Sequence, residues 1–210
     1  MRLSDTIPPE FEAVKDNDEA ILWTGQPALI PYLTRGIPFL IFGLFWGFFD
    51  LFFIMNMVKF GGGMGLFLIP FFALHLFPFY GSILNIVRLA LVHRNTRYAV
   101  TNKRLMLRSG IWGIDFKSLD YDRISNLEVN VNPLEKLFNV GSIRAYTGET
   151  VVSRNSSRSV FNEFVSIADP YEVFKQIKQV SVDIKTDWNY PNKLRPEENP
   201  GYSTKYTPKE

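Results

Sequence analysis

The chain has 210 residues, 46% of them hydrophobic and 15% aromatic, with 23 basic and 21 acidic side chains and a net charge of +2. That length has room for one or two domains, and the absence of cysteine excludes disulfides, thiolate nucleophiles, Cys-based metal sites and a lipoprotein anchor. The near-neutral total hides a division: residues 1–36 carry three bases and six acids, residues 88–180 fourteen and nine, and residues 181–210 five of each.

Residues 1–36 read as a cytoplasmic N-terminal segment in which "EAILWTGQP" (19–27) is a possible strand. Thirteen of the 19 Phe then lie between Phe39 and Phe79. A globular core would spread them over many elements, so the clustering points to a membrane segment beside a soluble part. Residues 37–57 and 66–87 are predicted transmembrane helices, joined by a short external loop at 58–65. Each is long enough for a hydrocarbon core of about 30 Å at about 1.5 Å per residue. The first run starts too late, and lacks the preceding basic region, for a cleaved signal peptide. Asp50 costs roughly 2.5–3.5 kcal/mol at a helix centre, while the Leu, Ile and Phe of that run return roughly 4–8 kcal/mol. The span tolerates its charge. Lys59 is the only base in the loop, against Arg35, Arg88, Arg94, Arg97, Lys103 and Arg104 on the other side. The positive-inside rule therefore puts both termini in the cytoplasm of a bacterial-type plasma membrane.

Within the hairpin, Gly43, Gly47 and Asp50 share one helix face, and small residues four apart allow close helix approach. Asp50 and His75 lie about 10 and about 13 Å from the outer ends of their spans, so they can meet. Such a pair is either a proton-linked switch or a mutual satisfaction that locks the hairpin or an oligomer. Pro70 and Pro78 are expected to kink the second span and free backbone carbonyls.

From residue 96 the period changes. "TRYAVTNKRLMLRSG" predicts two strands about a tight turn at Asn102-Lys103, and the broken alternation of "GIWGIDFKSLDYDRI" suggests a bulge. "NLEVNVN" alternates cleanly, with Leu127, Val129 and Val131 inward. "GSIRAYTG" and "SVFNEFVSI" supply further strands, separated by Gly148 and the polar stretch 153–159. In "NPLEKLFNVGSIRAY" (132–146), Asn132-Pro133 ends a strand, and Leu134, Leu137 and Phe138 are expected to pin the turn to the core. Gly141 is to supply backbone freedom there, and Glu135 and Lys136 to form a solvated face rather than a ligand site. A helix follows, with Asp169 as N-cap, Pro170 in the first position, and Val173, Phe174, Ile177 and Val180 as its apolar stripe. Residues 181–210 read as a disordered tail.

"YAVTNKRLMLRSGIWG", "ISNLEVNVNPLEKLFNVGSIRAYTG", "IADPYEVFKQI" and the upstream "EAILWTGQP" resemble the bacterial pleckstrin-homology (PH) domain of small membrane proteins with a two-helix hairpin. The resemblance covers residues 19–180, with the Asn-Pro-Leu-Glu-Lys block its most specific part. It implies an α+β chain: a two-helix transmembrane hairpin followed by a PH-like antiparallel β-barrel or sandwich over 88–180, seven strands capped by a C-terminal α-helix. It implies no enzymatic activity, and often a larger membrane partner with similar domains.

Catalytic and nucleotide motifs are missing, and no cofactor or metal site is expected. "GGGMG" lacks the Lys-Ser/Thr of a phosphate loop, and His93 reads as a headgroup contact or a solvated ring. The dispersed bases argue against nucleic acid. Arg88, Arg94, Arg97, Lys103 and Arg104 lie beside the membrane, where each contributes about 1 kcal/mol toward anionic headgroups, or serves only to set topology. The expected function is a non-enzymatic membrane protein presenting a PH-like domain to a membrane-protein partner or to a second copy. The alternatives are an anionic-lipid sensor and a small transport component using Asp50 and His75.

Overall fold

The computed structural model describes residues 7–60, 65–153 and 156–189. It divides into two compact units, one within Met1–Ala28 and Asn95–Glu210, the other Leu29–Arg94. The glycines and methionine at 61–64 and the 190–210 part of the predicted tail lie outside the described residues.

In the first unit a short helix, α1 (Pro9–Val14), precedes seven strands in two antiparallel sheets. One sheet has the order β1 (Ile21–Gly25), β2 (Arg97–Thr101), β3 (Arg104–Ser109), β4 (Asp115–Asp120). The other has the order β5 (Asn126–Asn130), β6 (Val140–Ser153), β7 (Ser156–Ala168). The sheets do not close into a barrel, so of the two architectures implied by the resemblance the sandwich is the one present. β1 precedes the apolar segment in sequence and β2 follows it, so this sheet draws on both sides of that segment.

Tyr98, Val100, Leu105, Leu119, Ile143 and Phe164 from the two sheets share one core with Val173, Ile177 and Val180 of α7 (Pro170–Asn189). Buried tyrosines keep their hydroxyls satisfied, as burial requires. Tyr121 donates to Thr101 O at 2.7 Å, and Tyr98 accepts from Val165 N at 3.1 Å. The helix does not stop at Val180. Ser181 is buried, Ile184 packs on the core, and Lys185 donates to Ile124 O, so the segment read as tail begins as part of α7.

The parity break after Gly110 is not a bulge, because β3 and β4 pair without a register shift. It arises because both faces of that sheet touch apolar side chains. Leu119 enters the main core, while Phe116 on the other face meets the buried Phe11 of α1 edge-on, with ring centroids 5.5 Å apart. Nor does Gly148 end a strand. It sits at φ +76° inside β6, where the register against β7 shifts between Tyr146 and Thr150.

In the other unit α2 (Leu29–Thr34) leads to α3 (Ile37–Phe60), α4 (Gly65–His75) and α5 (Phe77–Asn95). The stretches Ile37–Met57 and Leu68–Asn95 are long and apolar enough to cross a membrane. Pro70 lies inside α4, and the helix breaks instead at Leu76, two residues before Pro78. His93 is not a solvated ring: it is buried, with its ring 5.5 Å from that of Tyr32.

Candidate functional site

Three clusters gather the polar and apolar residues that sequence singled out. Between α3 and the end of α4, Asp50 is 1% exposed, and its two carboxyl oxygens lie 2.8 and 3.0 Å from His75 Nδ1. The break at Leu76 explains a second tie. Phe79 N bonds Leu76 O rather than His75 O, and the His75 carbonyl accepts from Trp46 Nε1 at 2.8 Å. Gly43 and Gly47 face α5. A Cβ on Gly43 would strike the Ser82 side chain and come within 2.8 Å of Pro78 O, and one on Gly47 would come within 2.8 Å of the Phe79 ring. Ser82 is fully buried and donates to Phe79 O at 2.7 Å. The glycines thus bring α3 against α5, while Asp50 and Trp46 tie α3 to the end of α4. A lone acid–imidazole pair can hold helices together or hold one proton between them; a relay needs further members.

Of the five bases expected to meet headgroups, Lys103 and Arg104 face acids. Arg104 donates to both oxygens of Glu19, at 3.1 and 2.8 Å, and Thr101 Oγ1 donates to the same carboxyl at 2.6 Å. Lys103 Nζ lies 2.5 Å from Asp18 and 3.5 Å from Asp16. These acids belong to the segment before β1, so the negative N-terminal residues neutralise two of the five bases proposed for headgroups. The Asp18 hydrogen bond raises the Lys103 pKa, and the Glu19 bond raises that of Arg104. Arg97 is pulled below its ordinary value by burial and by Arg108, its cross-strand neighbour. Arg88, exposed on α5, bonds Asn85 Oδ1 at 2.9 Å, and Arg94 is exposed at the end of the same helix.

The third cluster overturns the reading of 132–146. Glu135 is not solvated but 2% exposed, inside the short helix α6 (Pro133–Leu137). Asn132 Oδ1 accepts from Glu135 N at 2.8 Å, and Glu135 Oε2 accepts from Asn132 N at 3.1 Å, a reciprocal capping box. Oε1 accepts from Ser142 Oγ at 2.7 Å and Ser166 Oγ at 2.9 Å. Ser166 sits at φ +49°, at a register shift between β6 and β7. The apolar residues behave oppositely to expectation. Leu134, Leu137 and Phe138 face solvent, Leu137 by 74%, because the buried carboxyl and not their side chains fixes the turn. The left-handed position is Asn139, at φ +53°. Gly141 serves instead for close approach, since a Cβ there would come within 2.8 Å of Val131 and 2.9 Å of Pro170.

Among the described residues no group of three or more His, Asp or Glu is placed to hold a metal ion. A family model described as Bacterial PH domain matches residues 39–181, from the start of α3 into α7. No curated protein and no solved structure matches the chain. PH domains of this kind are generally non-catalytic and act as modules for protein or lipid interaction. With more than half of its length matched, from α3 through β2–β7 and into α7, the chain belongs to the bacterial PH domain family.

Proposed function

We propose that this chain is a non-enzymatic, two-span protein of the plasma membrane whose cytoplasmic PH domain docks a membrane-protein partner or a second copy of itself. The spanning part is supported by α3 and by α4 with α5, whose outward Phe, Leu and Ile side chains are exposed while Asp50 is enclosed. The orientation is supported by Lys59 as the single loop base against Arg35, Arg88 and Arg94. Neutralisation of Lys103 and Arg104 by Asp18 and Glu19 favours a protein contact over a basic headgroup site.

The observation that carries the docking reading is the far end of the β6–β7 ribbon. β5 reaches β6 only as far as Asn126↔Tyr146, yet β6 and β7 continue through Thr150↔Ser159, Val151↔Arg158 and Val152↔Ser157. Among the described residues no third strand joins this stretch. Successive side chains point to opposite faces, and both Val151 and Val152 are exposed, the latter by 77%. A two-stranded ribbon alone is marginal in water, and its open edges carry backbone donors and acceptors that an added strand can pair.

A photo-crosslinking residue at Val152 in native membranes is expected to give one discrete adduct, with a single partner or with a second copy. Strict monomers after crosslinking under mild lipid conditions would remove the docking reading.

A further inference from the structure

The two residues at which the chain leaves and rejoins the sandwich, Ala28 and Asn95, are each bonded close to an exposed apolar element. Asn95 Nδ2 donates to Gly110 O at 3.0 Å, at the start of the β3–β4 loop. Ala28 N donates to Ser166 O at 2.8 Å, and Ser166 Oγ in turn donates to Glu135 of α6. Strand register agrees. β1 ends with Gly25 opposite Tyr98, β2 starts with Arg97 opposite Arg108, and β3 runs out with Ser109 opposite Asp115. The β3–β4 loop therefore sits at the end of its sheet to which the apolar segment is covalently attached. The Lys103–Arg104 charge cluster lies at the opposite end, beside the β2–β3 turn.

The loop is tightly made. Gly110 has φ +147°, and a Cβ there would run into the Gly113 carbonyl, so the turn calls for glycine. At its tip Trp112 is 98% exposed, with exposed Ile111 and Ile114 on either side. α6 adds Leu137 and Phe138, held outward by the buried Glu135. An indole with its polar N–H and apolar body favours the boundary between headgroups and hydrocarbon. The apolar phase nearest along the chain to both elements is the one that the two spans occupy, from 37, nine residues after Ala28, to 87, eight before Asn95.

We infer that the loop Gly110–Ile114, with α6 beside the other chain exit, seats this PH domain on the lipid surface, Trp112 lying in the headgroup–acyl boundary. The contact is apolar and interfacial and needs no basic headgroup pocket; it rests on the two-span reading.

The native chain has no cysteine, so single cysteines can carry a spin label on the full-length protein, one chain per lipid nanodisc. Gly113→Cys leaves Trp112 in place, and a Cβ there meets open space. Leu137→Cys reports α6, Phe45→Cys the first span, and Lys178→Cys an exposed site on α7. Labels at 113 and 137 are expected to collide with a water-soluble nickel chelate several-fold less than the label at 178, and more readily with oxygen. Chelate access at 113 equal to that at 178, with 45 protected, overturns the seating while leaving the spans intact. Chelate access at 45 overturns both. Protection at 113 that appears only when a disc holds two chains assigns the surface to a protein contact and overturns the lipid one.

Discussion

At Glu19, burial and hydrogen bonding pull in opposite directions. Burial pushes the carboxyl up, but the Arg104 guanidinium, the Thr101 hydroxyl and the Asp16 N–H together hold it below its ordinary value of 4.5. The unfolded chain therefore takes up the proton at a higher pH than the folded protein does. The tie contributes fully above the ordinary value and is lost as pH falls through the depressed folded one. Acidification from about pH 6 to about pH 3 should lower the stability of the first unit, and Glu19→Gln should flatten that decline. At neutral pH the variant should also be less stable by about 1.5–3 kcal/mol, the range for hydrogen bonds to a charged partner. Urea unfolding followed by β-sheet circular dichroism checks this; parallel pH profiles for the two proteins would show that the tie adds nothing. Glu135 shows what local sequence hides. Beside Lys136 and between two chain breakers it has the composition of a surface turn, and only the Asn132-x-x-Glu135 spacing of a capping box marks it otherwise. Its other partners, Ser142 and Ser166, come from β6 and β7, and no local pattern carries that.

Among the elements, the two apolar stretches were the most legible, because length and composition alone define them, though the second is two helices, α4 and α5. Helix period also placed Gly43, Gly47 and Asp50 on one face, and depth counting brought Asp50 to His75. The site of the helix break was not legible: two prolines offered themselves, and the break falls at Leu76, where the neighbouring His75 carbonyl is held by Trp46. The seven strands were mostly legible, but their limits were not. Gly148 sits in a strand that tolerates a bulge, and Phe116 is paired with a residue, Phe11, from before the apolar segment. The glycines of the hairpin differ in a way that experiment can read. Gly43 faces Ser82 and a backbone carbonyl, neither of which can yield cheaply, whereas a Cβ on Gly81 would meet only the Phe39 ring at 3.6 Å. Gly43→Ala is expected to destabilise the helical unit by about 1–3 kcal/mol, as overpacking does, and Gly81→Ala to leave it nearly unchanged. Loss of helical signal on titration with sodium dodecyl sulfate in mixed micelles measures both. Equal loss in the two variants would mean that Gly43 does not set the approach of α3 to α5.

On the scale of the whole molecule, the apolar segment is inserted into the sandwich between two strands that pair with each other. Sequence order hides this, because β1 is a short run of five residues separated from β2 by the entire hairpin. Yet Trp23, Thr24 and Gly25 lie against Val100, Ala99 and Tyr98, and Glu19 and Phe11 close the same sheet from the same stretch of chain. The PH domain thus is not complete in the chain after the apolar segment alone. A chain limited to residues 95–189 would leave the β2 edge unpaired, Met106 without Phe11, and Arg104 without Glu19. Loss of the Phe11 side chain alone is worth about 3–5 kcal/mol, a large share of the roughly 5–15 kcal/mol by which a domain is stable. Replacing Leu29–Arg94 by a short Gly-Ser linker keeps all of these contacts, since Gly25 and Tyr98 are already opposite one another and the closing loop is small. The linked protein should fold with a cooperative urea transition, and the 95–189 chain should aggregate or unfold without one, as judged by size-exclusion chromatography and circular dichroism. If the shorter chain unfolds at the same urea concentration as the linked protein, β1 is an ornament on the domain and not a strand of it.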